Sequence, residues 1–303
     1  MTLIESHVSG SEAGRTDRTT AIREITVFLT TVAALTTVST VVGVREGVDV
    51  DAIEDATPLG AAAMYSQAFF PFLAAVLTQL VVHRRLRGPG WGFRRTAWRR
   101  LAGAWALSVA CVMTPTLVLW ATGLVEYDGD GAATVVPLGL TVFVLPYVIL
   151  AIGEGIGWRG LLVTRLAAVA GPRTVVLVAG LAWAGFHVPL MIWLGGTPAG
   201  VPVAYTVAVF TVGITAFGAI LGSMHLRWGI WPGVVAHATL NAAMYAVVDP
   251  LSVATDASGW LLSETGVAQV VVVVVAAVLW LRRWPLPSSS AVRGEAGRDV
   301  SRG

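Results

Sequence analysis

Eight stretches of about twenty apolar residues dominate the chain, at roughly 25–44, 62–82, 101–124, 133–153, 174–194, 203–223, 229–248 and 265–281. Each is long enough to cross the ~30 Å hydrocarbon layer of a bilayer as a helix. Backbone polar groups find no water there, so only helices or closed barrels can span it. Continuous apolar runs, rather than ten-residue alternations, select helices. The predicted fold is therefore all-α, a polytopic membrane protein with about eight transmembrane helices. Composition agrees: 55% of residues are hydrophobic and 13% charged, against roughly 25% charged in a soluble domain. The first 24 residues are polar and the first apolar run is long enough to span, unlike a cleaved signal peptide.

All 20 basic residues are arginine, and their placement carries topological information. Arg15, Arg18 and Arg23 precede the first span, and seven arginines from Arg84 to Arg100 lie in the second loop. Arg159, Arg165 and Arg173 fall between spans four and five, Arg227 between six and seven, and Arg282, Arg283, Arg293, Arg298 and Arg302 after span eight. Nineteen of the 20 thus share one side, leaving Arg45 on the other. The opposite loops are acidic: Glu46, Asp49, Asp51, Glu54 and Asp55, then Glu126, Asp128 and Asp130, then Asp249, Asp256 and Glu264. By the positive-inside rule both termini are cytoplasmic, which places the chain in the cell membrane as a multi-pass protein.

Residues 1–22 and 285–303 read as disordered cytoplasmic tails flanking a membrane domain over 23–284. Trp91, Trp98, Trp228, Trp231, Trp280 and Trp284 sit near span boundaries, where indoles anchor. The single cysteine, Cys111, lies inside an apolar run, so it packs and forms no disulfide. The net charge of +2 gives no reason to expect nucleic acid; the bilayer is the expected partner. The arginine-rich second loop is explained equally by topology and by attraction to anionic lipid heads.

Charge inside a bilayer costs at least ~2.5–3.5 kcal/mol at a helix centre, so the polar residues left in the spans are informative. Glu154 ends the apolar run of span four, and Arg159 follows five residues later. In a regular helix that spacing separates the two side chains by roughly 140°. Trp183 and His187 share a face of span five four residues apart, and Pro189 is expected to loosen the helix beyond them. His237 and Asn241 share a face of span seven, among small residues that permit close packing. Each group alone is explained by structure: a snorkelling pair, or hydrogen bonds between helices. Together, one acid, two imidazoles and one carboxamide meet the needs of acid–base peptide hydrolysis. A carboxylate and an imidazole can activate a water, and an imidazole and an amide can hold an oxyanion.

The three segments, Glu154-Gly-Ile-Gly-Trp-Arg159, Trp183-Ala-Gly-Phe-His187 and His237-Ala-Thr-Leu-Asn241, resemble in order the Glu-Glu-x-x-x-Arg, Phe-x-x-x-His and His-x-x-x-Asn motifs of the CAAX protease and bacteriocin-processing (CPBP, or Abi) family, which includes the type 2 CAAX prenyl proteases. The similarity covers roughly residues 130–248. It implies an eight-span intramembrane endopeptidase whose site opens toward the cytoplasm and whose substrates are membrane-embedded or lipidated proteins and peptides. It further implies that Glu154, helped by His187, activates water, that His237 and Asn241 stabilise the oxyanion, and that Arg159 and Trp183 support them. No cofactor is expected; a zinc ion held by Glu154, His187 and His237 is the alternative.

Two positions depart from the motifs. Gly155 replaces the second glutamate, and Trp183 replaces the phenylalanine. The missing carboxylate motivates a second reading, a non-catalytic immunity or scaffold protein of the same fold. A third is a proton-coupled carrier using Glu154 and His187 as a relay. The lack of an internal repeat and an expected clustering of the polar groups toward the cytoplasmic side argue against it.

Overall fold

Glycine and proline punctuate the helices of this chain. A computed structural model describes residues 3–86 and 91–287, with side chains from residue 18 onward. Helix α1 runs Leu3–Arg45, and a 3-10 turn (Val50–Asp55) leads to α2 (Pro58–Ser66), whose Thr57 cap accepts from Gly60 N–H. A second 3-10 turn, Gln67–Phe69, joins α2 to α3 (Phe70–His83), and α4 spans Trp98–Thr122. Gly123, at φ 71°, closes α4 in the left-handed region that glycine reaches without strain.

The fourth apolar stretch contains α5 (Ala132–Gly139), α6 (Val144–Gly155), a π-helical segment (Ile156–Val163) and α7 (Thr164–Val169). Then come α8 (Pro172–Trp193), α9 (Val203–Trp228), α10 (Ile230–Ala243) with a π-helical extension to Val248, a 3-10 turn (Asp249–Leu251), α11 (Ser258–Leu261) and α12 (Val267–Arg283). The two short strands β1 (Glu126–Tyr127) and β2 (Ser252–Val253) pair antiparallel, Glu126 opposite Val253.

The chain is an all-α polytopic membrane protein. Among the described residues six helical stretches are long and apolar enough to cross a membrane: 18–45, 58–83, 98–122, 132–169, 172–193 and 203–228. The seventh and eighth expected stretches contain α10, 14 residues extended by its π turn, and α12, 17 residues, neither of which is among those six. Outward faces carry apolar side chains at helical spacing, such as Leu177 and Leu181 on α8 and Val271, Val275 and Leu279 on α12. A surface of that kind suits lipid rather than water.

Three sequence expectations change. α1 is helical from Leu3, so helix replaces most of the tail expected over 1–22; of the tail at 285–303, residues 288 onward lie outside the described residues. Pro189 sits inside α8, which continues to Trp193. Glu154 is not at a span end, because helix continues 14 residues beyond Gly155 to Val169. Arg159 is consequently no loop residue; it is 4% exposed inside that helix.

Close approach explains two of the glycines around Glu154. A Cβ at Gly153 would lie 2.8 Å from the Ala68 carbonyl oxygen, and one at Gly157 would lie 2.5 Å from that of Pro71. The four-residue glycine spacing therefore lets α6 and its π segment press against the α2–α3 backbone. α10 packs on its other side, against α4 and α6, and Ser108 donates to the Ala236 carbonyl.

The loops gather into two ends of unlike charge. At one end Val50 N–H donates to the Leu194 carbonyl, Tyr205 Oη donates to the Trp260 carbonyl, and β1 pairs with β2. At the other, Trp228, Trp280 and Trp284 cluster beneath Arg100 and Arg283, and Arg227 donates to the Pro285 carbonyl. Also at this end Glu24, 2% exposed, accepts from Gln79 (3.3 Å), contacts His83 Nε2 (2.9 Å) and pairs with Arg165 Nε (2.6 Å). That network ties α1, α3 and α7 together. Glu24→Gln is expected to lower unfolding stability by on the order of 3 kcal/mol, because the Arg165 charge would lose its counter-ion. A thermal melt in detergent checks it: an unchanged Tm would remove the network from the fold's support.

Candidate active site

Glu154, Trp183, His187, His237 and Asn241 all line one cavity of about 130 Å³ between α6, α8, α9, α10 and α12. Phe210, Ile214, Phe217, Leu240 and Val270 supply apolar wall. Of the predicted site residues only Arg159 stands outside this lining, behind Trp183.

Trp183 organises the interior. Its indole Nε1–H donates to Glu154 Oε2 at 2.6 Å, and the Arg159 guanidinium carbon stacks over its ring, 3.7 Å from the centroid. His237 meets the same indole edge-to-face, with centroids 5.3 Å apart. Glu154 and Arg159 thus converge on one side chain, where a regular helix would splay them by roughly 140°. The π segment accounts for this: its i→i+5 bonding brings residues five apart closer to one face. The replacement of phenylalanine by Trp183 is also more than an aromatic exchange, because phenylalanine has no N–H for Glu154.

His187 Nδ1 lies 2.9 Å from the Trp183 carbonyl oxygen. A carbonyl only accepts, so Nδ1 carries the proton and Nε2 is left with its lone pair. Phe186 and Phe210 flank the ring at 4.9 and 5.4 Å. Among the described residues no three His, Cys, Asp or Glu side chains converge as a metal-binding group. Glu154, His187 and His237 therefore border a common space without forming a ready ligand set.

Two further titratable residues line this cavity that the motifs do not contain. Tyr245 follows Asn241 by four residues on the π extension, and Glu264 comes from the loop before α12. The face carrying His237 and Asn241 already pointed to Tyr245. Nothing local marked Glu264, whose return to the cavity is made by the Ser263–Gly266 turn.

His187, Tyr245 and Glu264 also border an outer cavity of about 530 Å³, completed by Asp51, Gly196, Thr197, Pro198, Asp249 and Thr265. These belong to the acidic loops. The opening is therefore at the arginine-poor end, opposite to the arginine-rich end at which the family resemblance had placed it. The polar groups accordingly do not cluster toward the arginine side, and that argument against a carrier falls away.

Residues 136–243, which contain every predicted site residue, match the family model described as type II CAAX prenyl endopeptidase, Rce1-like. This segment belongs to the CAAX protease family. No curated protein matches the chain. Tyr245, Glu264 and α12 lie beyond the CAAX protease segment, so the outer wall of the cavity is built by residues the family model does not reach.

At the mouth, loss of water contact, followed by the charges of Glu264 and Asp51, pushes the Asp249 carboxyl up to about 6. Partial loss of water contact likewise raises Glu264 and, together with the charge of Asp49, the exposed Asp51. A carboxyl raised in the folded state favours folding in its neutral form, an advantage complete below the unfolded value of 3.8 and lost as pH rises through about 6. Asp249→Asn should therefore melt at a higher temperature than the parent above that window, with the gap closing on acidification. Melts at stepped pH in detergent check this; a gap independent of pH would show that Asp249 carries no such charge penalty.

Proposed function

We propose that the chain is an intramembrane endopeptidase of the cell membrane, hydrolysing peptide bonds of membrane-embedded or lipidated proteins and peptides without a cofactor. The observation that carries this is the Glu154 carboxylate, held through one oxygen by Trp183 at a cavity also lined by His187, His237 and Asn241. With Oε2 engaged, Oε1 is left to orient and deprotonate a water. His187 Nε2, which in the neutral ring holds the lone pair when Nδ1–H donates to the Trp183 carbonyl, is the second acceptor for that water. Attack on a peptide carbonyl creates an oxyanion, for which the His237 ring and the Asn241 amide are the donors. The proton collected by Glu154 and His187 then passes to the departing amine. The phenylalanines, Ile214, Leu240 and Val270 suit an apolar substrate side chain. Arg159 acts through Trp183, fixing the ring that holds the base.

The mouth lies among acidic loops, so the positive-inside rule supports a substrate approach from the non-cytoplasmic face. Cys111 is 2% exposed and is the only cysteine, so an introduced one can be labelled cleanly. Thr197→Cys should react with a membrane-impermeant maleimide added outside intact cells, and Arg95→Cys only after lysis. The reverse pattern would put the mouth in the cytoplasm.

Cleavage of lipidated and transmembrane peptides in proteoliposomes tests the activity. Glu154→Gln and His237→Ala should each reduce it by roughly 100-fold or more. Trp183→Phe keeps the stack on Arg159 and loses the N–H, and should lower kcat by roughly 10-fold to 100-fold, the worth of a hydrogen bond to a charge. Activity should survive a chelator; loss restored by zinc would favour the metal-bound alternative. Failure of the folded protein to cleave any peptide would favour a binding or immunity role.

A further inference from the structure

Behind the catalytic cavity, on the α10 side of the π segment, lies a small closed space bordered by Gly155, Arg159, His225, Ile230, Val234 and His237. It leaves about 10 Å³ for the centre of a water-sized sphere, room for one water or one small ion. Arg159 is 4% exposed, and among the described residues neither Nη1 nor Nη2 has a hydrogen-bond partner. No described carboxylate lies within ion-pair distance of Arg159, and Glu154 reaches its charge only across the indole. His237 Nδ1, on a side chain 7% exposed, is unpartnered as well. His225, 2% exposed, is within electrostatic reach of both Arg94 and Arg159. Its Nε2–H donates to Thr164 Oγ1, which itself donates to the Arg159 carbonyl, so the imidazole brings no negative charge.

A guanidinium with unfilled donor groups, in a space walled by Ile230 and Val234, meets its nearest carboxylate, Glu154, only across the Trp183 ring, so on this side its charge has no direct partner. A water molecule would fill the donors but not offset the charge. We propose that this space binds a small monovalent anion, of the size of chloride or formate, on Arg159 Nη1 and Nη2, with the His237 ring at its edge. Gly155 keeps the site open. A Cβ there would meet only Val234 and Ile230 side chains, at 3.4–3.6 Å, so nothing but the missing side chain separates residue 155 from Arg159 one turn away. A glutamate at 155 would bring its own carboxylate to the same place. The site does not depend on the chain being a protease.

The purified full chain in detergent, melted in sodium chloride, bromide, formate or gluconate at constant ionic strength, tests the proposal. The three small anions should raise Tm saturably, by roughly 2–5 °C at ten times the half-saturating concentration, and gluconate should not. Gly155→Glu should show the raised Tm in gluconate and no response to chloride. An equal Tm in all four salts, or a chloride response that persists in Gly155→Glu, would overturn the proposal. Should that variant not fold, a crystal of the unaltered protein grown in bromide decides the matter. An anomalous peak beside Arg159 and His237 supports the site. A water there, or a peak only in the apolar space bordered by Val163, Val175 and Ala179 on the far side of Arg159, overturns it.

Discussion

A buried arginine and a buried glutamate share one indole ring, and much of the interior follows from that arrangement. An aromatic ring is negative on its face and positive at its edge. Arg159 takes the face and Glu154 the edge N–H of Trp183. The ring therefore meets each charge with the partial charge it prefers, in a layer where hydration is limited. Geometry has to serve this. The π segment carries Arg159 back toward the face of Glu154, and Gly153 and Gly157 draw that helix against α3 while α10 presses from the other side. His187 is fixed by the carbonyl of the same tryptophan, so the base and its partner imidazole are oriented by one residue.

Charge also divides the ends of the bundle. At the arginine end, tryptophans pack under arginine side chains, and Glu24 gathers Gln79, His83 and Arg165. At the other end carboxylates surround an opening, and their mutual repulsion and loss of water raise their proton affinity. The cavity lined by Glu154, His187, His237 and Asn241 lies between the two, connected to the acidic end through His187, Tyr245 and Glu264.

The helical class was legible because continuous apolar runs of span length have no other solution in lipid. The grouping of Glu154, His187, His237 and Asn241 was legible for the same reason: they stand out where polarity is costly, and all four line one cavity. What stayed hidden depended on geometry the sequence does not announce. Regular helix spacing separated Glu154 from Arg159, and only the π segment reunites them. Glu264 read as one more acid of a polar loop until the turn before α12 carried it inward. His225, Gln79 and Gln269 were passed over although they too are buried, so the polar content of the spans is larger than the motif residues alone. Loop charges located the arginine end correctly as a group, but they carry no information about which end a cavity opens to.

The glycines flanking Glu154 show how one repetitive sequence holds two different constraints. Gly153 and Gly157 face neighbouring backbone, and any side chain there would have to drive α3 away from the helix. Gly155 faces the other way, toward flexible ends of Ile230 and Val234 at ordinary contact distance. Its lack of a side chain is therefore not demanded by packing. The difference from the family motif at this one position is chemical rather than steric: the fold would accept a carboxylate beside Arg159, and this chain leaves the charge of that arginine to be balanced by Glu154 across the indole and by whatever occupies the space at Gly155.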